Sequence, residues 1–181
     1  MKGGAFGYKI FPEELLMLQL VSLVLLAYSF FFIQTSIPKL PARIPVHFNA
    51  SGVADGWGGP QTLWVLLGAQ ALTCAVFLVV PYLSQRSPNS VHFGSRKLTD
   101  FPPEQRVRMV AMLNDMAGYL AIVMNLFFAG MIHKVIQAAA DPAPHLDMHW
   151  MGILLVAATL GITFYYLWRF RRAAQGKDAD Q

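Results

Sequence analysis

Four stretches of the chain are apolar almost without interruption. Leu15–Ile37, Thr62–Tyr82 and Trp150–Trp168 contain no Asp, Glu, Lys or Arg, and Met109–Ile132 contains a single acid, Asp115. A helix that crosses a bilayer needs about 20 such residues. Backbone groups in lipid must be hydrogen-bonded within their own segment, so each stretch predicts a spanning α-helix. None of the four alternates with the two-residue period of a strand. The pattern therefore predicts an all-α protein, an integral membrane four-helix bundle, with residues 1–172 as one domain and a polar, disordered tail over 173–181. Pro60 follows Gly58-Gly59 and suits the first turn of the second span. Trp150 and Trp168 bracket the fourth span, as interfacial aromatics do.

Composition agrees. The 181 residues are 55% hydrophobic and only 13% charged, against about a quarter charged in soluble domains. The lone cysteine, Cys74, falls inside an apolar run, which suits a small packing residue and excludes an internal disulfide. The first apolar stretch is too long for a signal-peptide core and has no small-x-small exit, so a retained span is expected.

Charge sets the expected orientation. Lys2 and Lys9, the cations of the connector between spans two and three, and those after span four account for eleven of the 14 Lys and Arg residues. Only Lys39, Arg43 and Lys134 belong to the other side. Cations gather in the cytoplasm, so both termini are expected inside and the first and third connectors outside. The small net charge of +4 suits lipid headgroups rather than nucleic acid.

With that orientation, four of five histidines face outward: His47, His133, His145 and His149. His145 and His149 are four apart in "HLDMH", and on a helix they would share a face. Two neutral imidazoles so placed, joined by His47 or Asp55, form a candidate site for a divalent metal such as zinc. The alternative is local hydrogen bonding or a response to external pH. In the third span, Asn114, Gly118, Ala121 and Asn125 fall on one face at helical spacing. Small and amide residues on one stripe let helices approach and hydrogen-bond, which gives a packing seam or, alternatively, a polar path through the bundle. Asp115 lies near the cytoplasmic end of that span, where water or an arginine such as Arg106 or Arg108 could reach it.

The first outward connector is the densest in special residues. "RIPVHFNASGVADGWGG" spans Arg43–Gly59. Pro41 and Pro45 stiffen it, Gly52 can take a left-handed conformation, and Asp55-Gly56 signals a tight turn. Trp57 suits the headgroup level. Folded over the mouth of the bundle, the connector would bring His47, Asn49 and Asp55 together. It would then act either as a hydrogen-bonded cap or as a ligand site formed by His47, Asn49, Asp55 and Trp57.

This stretch also resembles a family signature. Pro41, Ile44, Pro45, His47, Phe48, Asn49, Gly52, Asp55, Gly56 and Gly58 match the pattern Pro-x-x-Ile-Pro-x-His-Phe-Asn-x-x-Gly-x-x-Asp-Gly-x-Gly. That pattern is similar to the N-terminal domain, of unassigned function, of the SdpI-like bacterial membrane proteins. The resemblance covers about Leu15 to Tyr82, with a weaker echo in "SPNSVHF" and "FPPEQRVR". It implies a multi-pass protein of the bacterial inner membrane, and relatives that act as toxin-immunity and signalling proteins. The outward "HLDMHW" cluster is not part of that signature.

Three functions remain open. The first is a binding or sensing module for an extracytoplasmic peptide or other ligand. The second is an accessory subunit that packs with a membrane-protein partner or with its own copies. The third is a metal-dependent enzyme at the outer surface. No complete nucleophile–base or acid–base set can be assembled, which favours binding or accessory roles over enzymology.

Overall fold

The computed structural model describes residues 13–175. Lys2, Lys9 and the tail from residue 176 onward lie outside those residues. Four long helices dominate: α1 (Glu13–Ser36), α2 (Leu63–Arg86), α3 (Pro103–Ala139) and α4 (His149–Ala174). The described residues are 75% helical and form no closed sheet, and each of the four helices is long and apolar enough to cross a membrane. It is an all-α, multi-pass membrane protein.

The polarity of the bundle is that of a molecule solvated by lipid. Along α1 the buried positions are Leu15, Gln19, Ser22, Ser29 and Ile33, spaced at helical intervals. The exposed positions include Leu16, Met17, Leu20, Val24 and Phe31. Amide and hydroxyl groups thus point inward while the bulkiest apolar groups point out. In water that arrangement would leave a very large apolar surface exposed. In lipid it satisfies the polar groups and costs nothing outside.

α3 is the axis. It packs against α1, α2 and α4, and α1 also touches α2. α1 and α3 run side by side in the same direction: Phe32 stacks on His133, with ring centroids 5.1 Å apart. About four turns before Ile132, the helices approach closely at Gly118, where an added Cβ would lie 2.7 Å from Leu18 Cδ1. Only glycine admits that approach.

The helices overrun the apolar stretches, α3 most of all. Its 37 residues reach about 55 Å, well beyond a hydrocarbon core of about 30 Å. Hydropathy marks only the part that suits lipid, and both ends of α3 are instead covered by protein. At one end Met109 and Met112 join Leu98, Phe101, Tyr166 and Phe170 in a buried cluster. At the other, Ile132, Val135 and Ala139 pack with Ile33, Ile44 and Leu63.

Two short hairpins were not expected. β1 (Ile44–Phe48) pairs antiparallel with β2 (Ala54–Gly58), in the register Ile44 to Gly58, Pro45 to Trp57, His47 to Gly56 and Phe48 to Ala54, with irregularities on either side of His47. The turn expected at Asp55-Gly56 is not there, because both residues belong to β2. The chain reverses instead at Asn49–Gly52. Asn49 Oδ1 accepts the N–H groups of Ser51 and Val53, each at 3.0 Å, and Gly52 takes φ +79°. An asparagine that binds the backbone ahead of it makes a stronger turn than Asp-Gly alone. In the connector between α2 and α3, β3 (His92–Phe93) pairs with β4 (Arg96–Lys97) around Gly94, which has φ +64°.

Candidate functional site: a cleft between the first hairpin and the start of α4

The connectors α1–α2 and α3–α4 meet at the same end of the bundle and are joined by their backbones. Val53 and His145 form an antiparallel bridge. The Leu146 N–H donates to the Gly52 carbonyl at 2.8 Å, and the Ala54 N–H donates to the Pro144 carbonyl at 3.3 Å. The α3–α4 connector is therefore held against the hairpin by one β-bridge. The approach is close: a Cβ on Gly52 would fall 2.7 Å from the Leu146 carbonyl oxygen and 2.8 Å from His145 Cε1.

Beside this junction opens a cleft of about 790 Å³, lined by Phe48, Asn49, Ser51, Gly52, His145, Leu146, Asp147, Met148, His149 and Ile153, among others. Its size falls within the range typical of small-molecule and short-peptide sites, roughly 300–1,000 Å³. Aliphatic and aromatic groups form part of the wall, and two imidazoles, a hydroxyl and an amide supply polar contacts. Asp147 is partly committed elsewhere: its Oδ1 accepts the His149 N–H at 3.0 Å, taking one of the free N–H groups at the start of α4.

The two histidines share this cleft by a route that helical spacing does not describe. His145 lies in the extended bridge, and only His149 belongs to α4. Pro142 and Pro144 hold the preceding segment away from helix, and α4 starts only at His149, after His145 has passed.

His47 and Asp55 are elsewhere. They meet across the hairpin, His47 Nδ1 to Asp55 Oδ1 at 2.5 Å, with their side chains 72% and 45% exposed. Neither lines the cleft. Trp57, on the same strand parity as Asp55, is also exposed. Asn49 spans both descriptions, since its carbonyl oxygen builds the turn while the residue lines the cleft. The structure thus brings His145 and His149 to one place and His47 with Asp55 to another. Among the described residues, no three His, Cys, Asp or Glu side chains are grouped to hold a metal ion.

Asn114, Gly118, Ala121 and Asn125 are all buried on α3. Asn125 is the hub of an amide cluster. Its Oδ1 accepts from Gln70 Nε2 at 3.0 Å and from Cys74 Sγ at 3.2 Å, while its Nδ2 donates to the Ala121 carbonyl at 2.8 Å. Gln19 has a different task. Pro81 inside α2 has no N–H, so the Phe77 carbonyl loses its helical partner. Gln19 Nε2 donates to that carbonyl at 3.4 Å. Gln19 and Gln70 were missed from sequence, although a single amide inside a run of aliphatic residues is the signal that marks them. Asp115 lies within electrostatic range of Glu14 on α1 and of Arg169 on α4.

A protein-family model described as a domain of unknown function (DUF1648) matches residues 23–71. The match begins within α1, contains the whole first hairpin and ends in the first half of α2. No curated protein matches the chain, and no solved structure matches it.

Proposed function

We propose that this multi-pass membrane protein binds a ligand at the cleft between its first hairpin and α4, with that end facing the outside of a bacterial inner membrane and both termini in the cytoplasm. The observation that carries the reading is the junction itself. Two connectors are tied by a β-bridge made of two backbone hydrogen bonds, and the cleft beside them combines an aliphatic wall with His145, His149, Asn49 and Ser51. A cap that merely closed the bundle would not need an open cleft with polar groups converging on it. The excess of Lys and Arg in the second connector and after α4 supports the orientation.

The ligand class that fits is a short extracytoplasmic peptide, whose backbone amides would meet the imidazoles and whose apolar side chains would meet Leu146, Met148 and Ile153. The likeness of Pro41–Gly58 to the SdpI-like signature supports an immunity or sensing role. The exposed His47–Asp55 pair and Trp57 would then form an outer lip that meets the ligand or headgroups. Binding needs no metal and no catalytic set. An accessory role within a larger assembly is compatible with α4, which offers Trp150, Leu154, Phe164 and Trp168 to its surroundings.

Two measurements test this. A Ser51→Cys protein should react with a membrane-impermeant maleimide added to intact cells; labelling only after lysis would reverse the orientation. Cells that express the chain should tolerate at least one secreted antimicrobial peptide better than cells that lack it, and Ser51→Trp, which fills the cleft, should abolish the difference. Equal sensitivity across a broad peptide panel would refute the proposed ligand class.

A further inference from the structure

The seam between α1, α2 and α3 treats its two buried asparagines differently. Asn125 has its hydrogen bonds made by Gln70, Cys74 and the Ala121 carbonyl. Asn114, three turns earlier on α3, is fully buried, yet neither its Oδ1 nor its Nδ2 has a hydrogen-bond partner among the described residues. Its surroundings on α3 are small, with Ala117 and Gly118 on the following turn. An aliphatic side chain there would fill space at no polar cost, whereas an amide left dry at both ends is strongly unfavourable in an apolar interior. Enclosure within the bundle also rules out a lipid headgroup or a neighbouring protein as the partner. The ligand must be small, must both donate and accept, and must enter a closed seam.

We propose that Asn114 is an intramembrane hydration site: one or two ordered water molecules accept from its Nδ2 and donate to its Oδ1. Water is the one common species that meets all three requirements, and buried waters typically serve such otherwise unpaired groups. The seam then has two regimes. At Asn125 both ends of the amide bond directly to protein, with only Gln70 Oε1 beside it unpartnered among the described residues, and at Asn114 both ends close through water.

The composition of the chain makes a direct test possible. It has four asparagines: Asn49, Asn89, Asn114 and Asn125. Two are exposed and two are buried. Full-length protein labelled with 15N only at asparagine side chains, reconstituted in lipid bilayers, gives four amide signals in water-edited solid-state NMR. Asn49 and Asn89 calibrate contact with bulk water, and Asn125 calibrates a buried amide already bonded to protein. Water should polarise the Asn114 amide faster than that of Asn125, because a bound water touches it directly. Build-up at Asn114 equal to or slower than at Asn125 overturns the proposal.

Discussion

The two ends of this molecule carry the same parts and use them differently. Each has a short β-hairpin laid over a buried apolar cluster. At the β1–β2 end the hairpin is held by backbone, through the Leu146 and Ala54 hydrogen bonds that make the Val53–His145 bridge. At the β3–β4 end it is held by rings. Phe93 packs on Phe170 with centroids 4.8 Å apart, and the Arg96 guanidinium lies 4.0 Å over the Phe101 ring. Backbone ties leave side chains free to line a cleft, while ring packing consumes them in closing the end. The difference explains why the polar groups that could meet a ligand gather at the first end.

That comparison can be broken from either side. The largest effect is expected from Phe101→Ala, which removes a ring only 3% exposed. It should cost about 3–5 kcal/mol, measured by denaturant unfolding in nanodiscs, and hydrogen exchange should rise across β3–β4 while the β1–β2 junction stays protected. Loss of protection at both ends would show that they are not independent.

The next two predictions form a pair. Gly52 and Gly94 both have positive φ, but a Cβ on Gly52 meets the Leu146 carbonyl whereas a Cβ on Gly94 meets nothing within 4 Å. Gly94→Ala should therefore cost only the backbone term, about 1 kcal/mol. Gly52→Ala should cost about 2–3 kcal/mol and should release the Leu146 and Ala54 amides to exchange. Equal costs would mean that the junction is looser than its geometry indicates.

The smallest effect belongs to His47→Ala. The His47–Asp55 pair is largely exposed, so its loss should change stability by less than about 1 kcal/mol and leave the cleft unaltered. A larger loss would make this pair part of the structural junction rather than of the surface.

How much of this was legible beforehand can be judged from particular residues. Leu15–Ile37 and Trp150–Trp168 announced their helices because lipid imposes a length and a composition that few other environments demand. Gly52 announced its left-handed backbone, since a glycine between Asn49 and a strand has few other uses. Asp55-Gly56 misled, because the same dipeptide serves a turn or a strand and only the Asn49 hydrogen bonds decide between them. The i, i+4 histidines misled for a similar reason: the spacing says nothing until it is known whether the residues lie on a helix, and here His145 does not.

What the linear order of residues determined by itself was the number of spans, their class and the concentration of special residues in Arg43–Gly59. These depend on composition within a segment, which a bilayer reads one helix at a time. What only the tertiary structure decided was company: His145 with Gly52, Gln19 with the carbonyl freed by Pro81, Gln70 with Asn125, and His47 apart from His149. Those pairings join residues from distant parts of the chain, and they exist because α3 places its neighbours at a common height along one axis, a relation no local pattern encodes.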